Sequence, residues 1–270
     1  MRTWSASQAR SQRATRAHGL RQRLDLVRHL VRRDFRLRYH DSTLGMAWSM
    51  LLPLAQLGIL VFVFQHVVPL GIEGYPAFVF TALLPWAWFS TCLADAGPLF
   101  VGNRDLLCRP AFEPKTLVVV NVLSHFLTFL VSLPILLLVL TLYHRPLTAA
   151  LIAFPLVVLV QGALALGLGL MVATLNVFYR DVQHIVGVLL ALLFYLTPVF
   201  YRSEEALERF ALVFALNPLT ALVESYRAIF FYGTFPAGGP LLFAAAVSVI
   251  LCILGFRVQA RWQHEMVDVI

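Results

Sequence analysis

The sequence predicts an all-α integral membrane protein. It has six transmembrane helices per chain, an N-terminal amphipathic interfacial helix, and a re-entrant helical pair between spans 5 and 6. Three observations lead there. The 270 residues are 60% hydrophobic and only 13% charged, with mean hydropathy +0.79, whereas soluble domains are about 45–50% apolar and about 25% charged. Apolar runs of membrane length recur along the chain, and a backbone in lipid must satisfy its own hydrogen bonds, so these runs are helices. Positive charge is uneven: residues 1–43 hold 11 of the 21 Lys and Arg against three acids, Asp25, Asp34 and Asp41.

Taken in order, residues 1–19 are an Arg-, Ser- and Gln-rich tail, expected to be disordered. Residues 20–43 form an interfacial segment. Leu20, Leu24, Val27, Val31 and Phe35 recur at helical spacing, with Arg21, Arg28, Arg32 and Arg36 off that stripe; such a helix lies in the membrane plane with its arginines toward phosphate headgroups. A plain polybasic juxtamembrane anchor reads the same stretch equally simply. A membrane domain follows over 44–257, with spans near 45–67, 76–100, 116–142, 148–176, 182–201 and 240–257, and then a tail over 258–270. A signal peptide is not expected, because more than forty residues precede the first apolar run.

Charge sets the orientation. With the N-terminus inside, the inside segments and their flank carry 17 Lys and Arg and the outside loops carry 4, which places both termini in the cytoplasm. Segment 202–239 is too apolar for a solvated loop and is broken at Asn217-Pro218, where proline removes a helical hydrogen bond. Two short helices meeting there would dip into the membrane and return, as is tolerated when packed on protein or lining a cavity. Glu224 and Arg227, three apart, can pair on the second helix. The pair reads either as a structural cap or as an outer gate.

Several functions are excluded. The only lysine, Lys115, stands in no GxxxxGK[ST] motif, so the chain is no P-loop ATPase. Cys92, Cys108 and Cys252 are scattered and suggest neither a disulfide framework nor a metal site. Asp95 is the only acid well inside a span, close enough to its end to reach the interface. His125, His144 and His184 read as isolated. An enzyme acting on polyprenyl phosphate needs acids or histidines clustered at one membrane face, and none is visible. A scaffold recruiting cytoplasmic enzymes through the basic arm leaves the polar breaks in the spans unexplained. Nucleic acid is not an expected partner at this hydropathy.

Several fragments, in order over roughly residues 25–257, together carry a resemblance. They are Arg36, Arg38 and Tyr39, then Ser42, Leu44 and Gly45, then Trp48 and Pro53; LLPWAWFS at 83–90; NRDLLCRPAF at 103–112; NVFYRDV at 176–182; TPVFY at 197–201; and LNPLTALVESYRAIF at 216–230. The set resembles the membrane subunit of ABC-2 type exporters of polysaccharides and polyol phosphates, which includes O-antigen, capsule and teichoic-acid permeases. The sequence departs from that pattern in having Arg109 where Lys is frequent, Phe112-Glu113 for Phe-Pro, and Ser124-His125 where an acid is frequent.

The resemblance implies that two copies of the chain pair in the bacterial inner membrane. Two P-loop ATPase subunits would dock below through the 101–115 loop, using Asn103, Leu106, Leu107, Arg109 and Phe112. The Mg-ATP belongs to those partners, and the chain itself carries no cofactor, metal or catalytic residue. The substrate is a lipid-pyrophosphate-linked glycan. Arg36 and Arg38 would attract its headgroup, since guanidinium binds phosphate bidentately and stays charged, and Tyr39, Ser42, Leu44 and Gly45 would form the inner gate. Trp86 and Trp88, about 15 Å into the second span at helical rise, and Tyr195 either face a glycan channel or pack between helices. Asn217, Pro218, Glu224 and Arg227 would make the outer gate. A second ABC-2 branch exports drugs or lipids, but its members lack the Arg-Tyr/Ser-Leu-Gly region and the Asn-Pro segment together.

Overall fold

The structure, a computed structural model, describes residues 25–34, 36, 47–109, 112–202 and 212–269. It divides after Gly45. In the first unit, helix α1 covers residues 25–34. The second unit is helical throughout, with no strand among the described residues. Its helices are α2 (Ala47–Phe62), α3 (Tyr75–Ala96), α4 (Arg104–Leu107), α5 (Lys115–Leu142), α6 (Phe154–Phe178), α7 (Val182–Leu196), α8 (212–216), α9 (Pro218–Arg227) and α10 (Gly238–Val269).

Four segments are long and apolar enough to cross a membrane: Tyr75–Ala96, Lys115–Leu142, Ala149–Phe178 and Gly238–Gln263. Leu51–Val67 and Val182–Leu196 are shorter apolar helices. The second and third of the expected spans start and stop close to where the apolar runs do, because lipid supplies no partner for a frayed backbone. Prolines open α3, α6 and α9 at their first turns, where the missing N–H has no helical acceptor to lose. Pro53, Pro85 and Pro134 lie inside helices. Near the second of these, Gln161 Nε2 on α6 donates to the Pro85 carbonyl at 2.8 Å, a polar tie between the two helices, while the carbonyl that the proline ring itself deprives of a donor is that of Thr81.

Helix α3 is the axis of the bundle. Helices α2, α5, α6, α7 and α9 all pack on it, and 78% of its span is buried against 22% for α10. The most extensive helix pair is α6 with α10, and glycines set their approach. A Cβ at Gly167 would meet the Cys252 backbone nitrogen at 2.5 Å, and one at Gly255 would land on the Gly167 carbonyl. Only backbones stripped of side chains come this close, which is the usual device where lipid offers no hydrophobic drive for association.

Helix α10 does not stop at the expected boundary. Residues 258–269, expected as a tail, continue the helix. Its 32 residues span about 48 Å at helical rise, well beyond the about 30 Å hydrocarbon layer.

Candidate functional site

The described polar features gather at two ends of α3. At its N-terminal end, the unwound segment 197–201 carries carbonyls that no helix satisfies. Arg227 supplies donors to two of them. Its Nη2 donates to the Val199 carbonyl at 2.7 Å and its Nη1 to that of Tyr201 at 3.4 Å. The guanidinium also donates to Glu224 Oε1 at 2.8 Å and lies 3.7 Å from the centroid of the Phe78 ring. Arg227 is fully buried, so its charge persists there because a carboxylate, two carbonyl dipoles and a ring face replace water. Tyr75 Oη donates to the carbonyl between them, on Phe200, at 2.9 Å.

Asn217 fastens the other side of this junction. Its Oδ1 accepts from the Leu219 N–H at 3.0 Å, capping α9, and its Nδ2 donates to Thr197 Oγ1 at 3.1 Å. Asn at the cap followed by Pro at the first helical position is what starts a helix abruptly after a break. The Glu224–Arg227 pair expected from spacing is present, and the sequence motifs at 197–201 and 216–230 turn out to bond each other. Beside the junction is a cavity of about 760 Å³. Its walls include Phe214, Thr220, Glu224 and Ser225 from the α8–α9 side and Pro240 and Phe243 from the start of α10. Sequence reasoning missed Tyr75, Phe78 and Thr197; the available signal was a lone Arg in an apolar helix, which demands partners from elsewhere in the chain.

At the C-terminal end of α3 lies the loop expected to meet a partner. Asn103 Nδ2 donates to the Leu99 carbonyl at 2.9 Å, holding the turn into α4. Leu107 is buried in a cluster with Phe100, Leu117, Val118, Val177 and Met266, and Leu106 and Phe112 pack partly against it. In the single chain, Leu107 at the C-terminal end of α4 is seated in this chain's own core. Arg104, Asp105, Cys108 and Arg109 are exposed and form the face open to a partner.

Between the two ends, Trp86 and Trp88 are 7% and 4% exposed. Trp88 stacks on Phe129 at 5.4 Å between centroids, and Trp86 packs on Phe194 at 5.5 Å. Of the two alternatives read from the sequence, packing between helices is what these contacts describe within the single chain. Tyr195 is 66% exposed and remains open. His125, read as isolated, has a partner: its Nε2 on α5 lies 2.9 Å from Oδ2 of Asp95 in the last turn of α3. One turn earlier on α5, Asn121 Nδ2 donates to the Cys92 carbonyl at 2.8 Å.

In the first unit, the exposed side chains of His29, Arg32, Arg33 and Arg36 border a common cavity of about 490 Å³. Arg38, Tyr39, Ser42, Leu44 and Gly45, expected at the inner gate, lie outside the described residues, as do residues 1–19.

Comparison with known proteins agrees with this architecture. The family model of the ABC-2 type transporter matches residues 25–231. The O-antigen export system permease protein RfbA of Myxococcus xanthus is 38% identical over 228 residues, covering 84% of this chain and 88% of that protein. A Klebsiella pneumoniae protein of the same name is 28% identical over 91% of this chain and 95% of its own length. The polysialic acid transport protein KpsM of Escherichia coli is 21% identical over 89% and 94%.

Proposed function

Because the chain belongs to the ABC-2 type transporter family, and is thus the membrane permease of an ABC exporter rather than its ATPase, we propose a specific cargo and working assembly for it. The cargo is a lipid-pyrophosphate-linked polysaccharide of the O-antigen or capsule kind, moved outward across the bacterial inner membrane. The observation that carries this reading is the 38% identity to an O-antigen export permease over 84% of the chain. The weaker likeness to a polysialic acid transporter keeps the capsular class within the same reading.

In the working assembly, two copies pair and two P-loop ATPase subunits bring Mg-ATP. The two shorter apolar helices complete six spans, each short span made workable by local thinning or by the neighbouring copy. Both termini face the cytoplasm, as the arginine distribution favours. The basic face of α1 with Arg36 and Arg38 attracts the pyrophosphate, while Tyr39, Ser42, Leu44 and Gly45 form the inner gate. Exposed Tyr195 offers an aromatic face to the glycan. Asn103, Leu106, Arg109 and Phe112 shape the loop that meets the ATPase, with Leu107 as its anchor. Asn217, Pro218, Glu224 and Arg227 belong to the outer gate, whose hinge is the α9 junction.

The test is affinity purification of the tagged chain from native membranes in mild detergent. A co-purifying P-loop ATPase whose hydrolysis responds to lipid-linked glycan is the expected result. Recovery of the folded chain with no ATPase would sink the proposed assembly.

A further inference from the structure

The docking loop does not stand alone in this structure. Its cluster of Phe100, Leu107, Leu117, Val118 and Val177 includes one residue from the far end of the chain, Met266, which is 1% exposed. Trp262, one turn earlier, meets the Phe178 ring edge-on at 4.9 Å, and Gln259, one heptad before Met266, is buried as well. One face of the α10 extension is therefore seated on the end of α6 and on the loop cluster. An unsupported helical end of this length would fray in water; these contacts hold it.

The other end of α10 reaches the opposite side of the bundle. There Pro240 and Phe243 share the cavity with Thr220 and Glu224, and α10 packs on α9. Between the two ends, the Gly167–Gly255 approach locks α10 to α6 without intervening side chains. A backbone contact of that kind resists sliding and leaves tilting about the contact as the easier motion, because no side chain can be repacked to absorb a shift.

We propose that the extension of α10 is the positioning element of the ATPase-docking loop, with Met266 setting the placement of Leu107 and Phe100, and that α10 carries loop movement to the α9 junction. This rests on the docking role proposed above for residues 101–115. Leu107 and Met266 are members of one buried cluster, so a displacement of α4 by a docked ATPase that moves Leu107 loads the packing around Met266. Methionine suits the position, since its unbranched, polarizable chain keeps contact while neighbours move.

The experiment uses the full chain with its ATPase partner in proteoliposomes and reads glycan exported per ATP hydrolysed. Met266→Asp places a charge in the cluster. The expected result is an intact complex that hydrolyses ATP while export per ATP falls about three- to thirtyfold, the range for a residue inside a coupling network. Met266→Leu, which restores the apolar contact, should recover the parental ratio. If Met266→Asp does not assemble, Met266→Ala decides instead, because it removes contact without burying charge. An unchanged export-to-ATP ratio in whichever variant assembles overturns the inference. Arg109→Glu, on the exposed face of the loop, separates the two readings. Loss of ATPase binding in Arg109→Glu with normal coupling in the Met266 variants defeats this inference alone. No effect of Arg109→Glu on ATPase binding defeats the docking reading beneath it.

Discussion

The two ends of α3 are built from opposite materials. At the N-terminal end, Arg227, Glu224, Tyr75 and Asn217 hold an unwound strand of carbonyls through directed hydrogen bonds. At the C-terminal end, Phe100, Leu107 and Met266 belong to one apolar cluster, with the His125–Asp95 pair and the Asn103–Leu99 bond beside it rather than within it. A polar network in a dry setting is strong only in one geometry, and losing one member strands the rest. Apolar contact tolerates a family of geometries of similar energy. The first end is therefore suited to two discrete arrangements, closed or broken, and the second to following a partner's movement.

Replacing Arg227 is the sharpest way to break this contrast and carries the largest expected effect. Arg227→Ala leaves Glu224 without its cation and the Val199 and Tyr201 carbonyls without donors. Breaking a buried pair of this kind costs about 3–5 kcal/mol, and thermal unfolding of the purified chain in detergent should show it. Arg227→Lys should recover little, because a point charge with three rotatable donors does not reproduce a planar fork lying over the Phe78 ring. A lysine variant as stable as the parent would mean that charge alone, not geometry, holds this end.

The matching change at the other end should be milder and should depend on volume rather than shape. Leu107→Ala empties a buried site and is expected to cost about 2–5 kcal/mol, whereas Leu107→Met keeps the volume and should cost under about 1.5 kcal/mol. Denaturation midpoints of the two variants measure the difference directly. Equal and large losses for both would show that the loop cluster is as geometrically demanding as the arginine junction, and the contrast would fail.

Much of this arrangement was legible in the sequence, and the reasons for the rest are physical. Long apolar runs fixed where helices lie because lipid permits nothing else, and Asn217-Pro218 announced a helix start because capping and the proline ring act within two residues. Glu224–Arg227 was readable for the same reason, being one helical turn. What escaped depends on contacts distant along the chain. His125 looked solitary, but its partner Asp95 is 30 residues away on another helix. Trp88 could be read as a channel wall or as packing, and its stacking partner Phe129 lies on another helix, 41 residues away in sequence. The resemblance placed Leu107 in a partner-facing loop, and its seat in this chain's own core depends on Phe100, Val177 and Met266, which the loop sequence alone does not bring together. The continuation of α10 past Arg257 was hidden by its polar composition, which reads as a tail until Met266 is seen in a core 159 residues from Leu107 in sequence.

A smaller change tests whether the junction is one network or several independent bonds. Asn217 does two things, capping α9 through Leu219 and tying α9 to Thr197. Asn217→Ala removes both, while Asn217→Ser keeps a capping oxygen on a side chain too short for the second bond. If capping dominates, alanine costs about 1 kcal/mol and serine almost nothing. If the tie to Thr197 matters as much, serine should lose about half of what alanine loses, and Thr197→Val in the Asn217→Ser background should add nothing further. That non-additivity is the signature of shared contacts. Full additivity would instead mean that Thr197 contributes through contacts other than Asn217, so that the bond between these two side chains does little to hold α9 to the 197–201 segment.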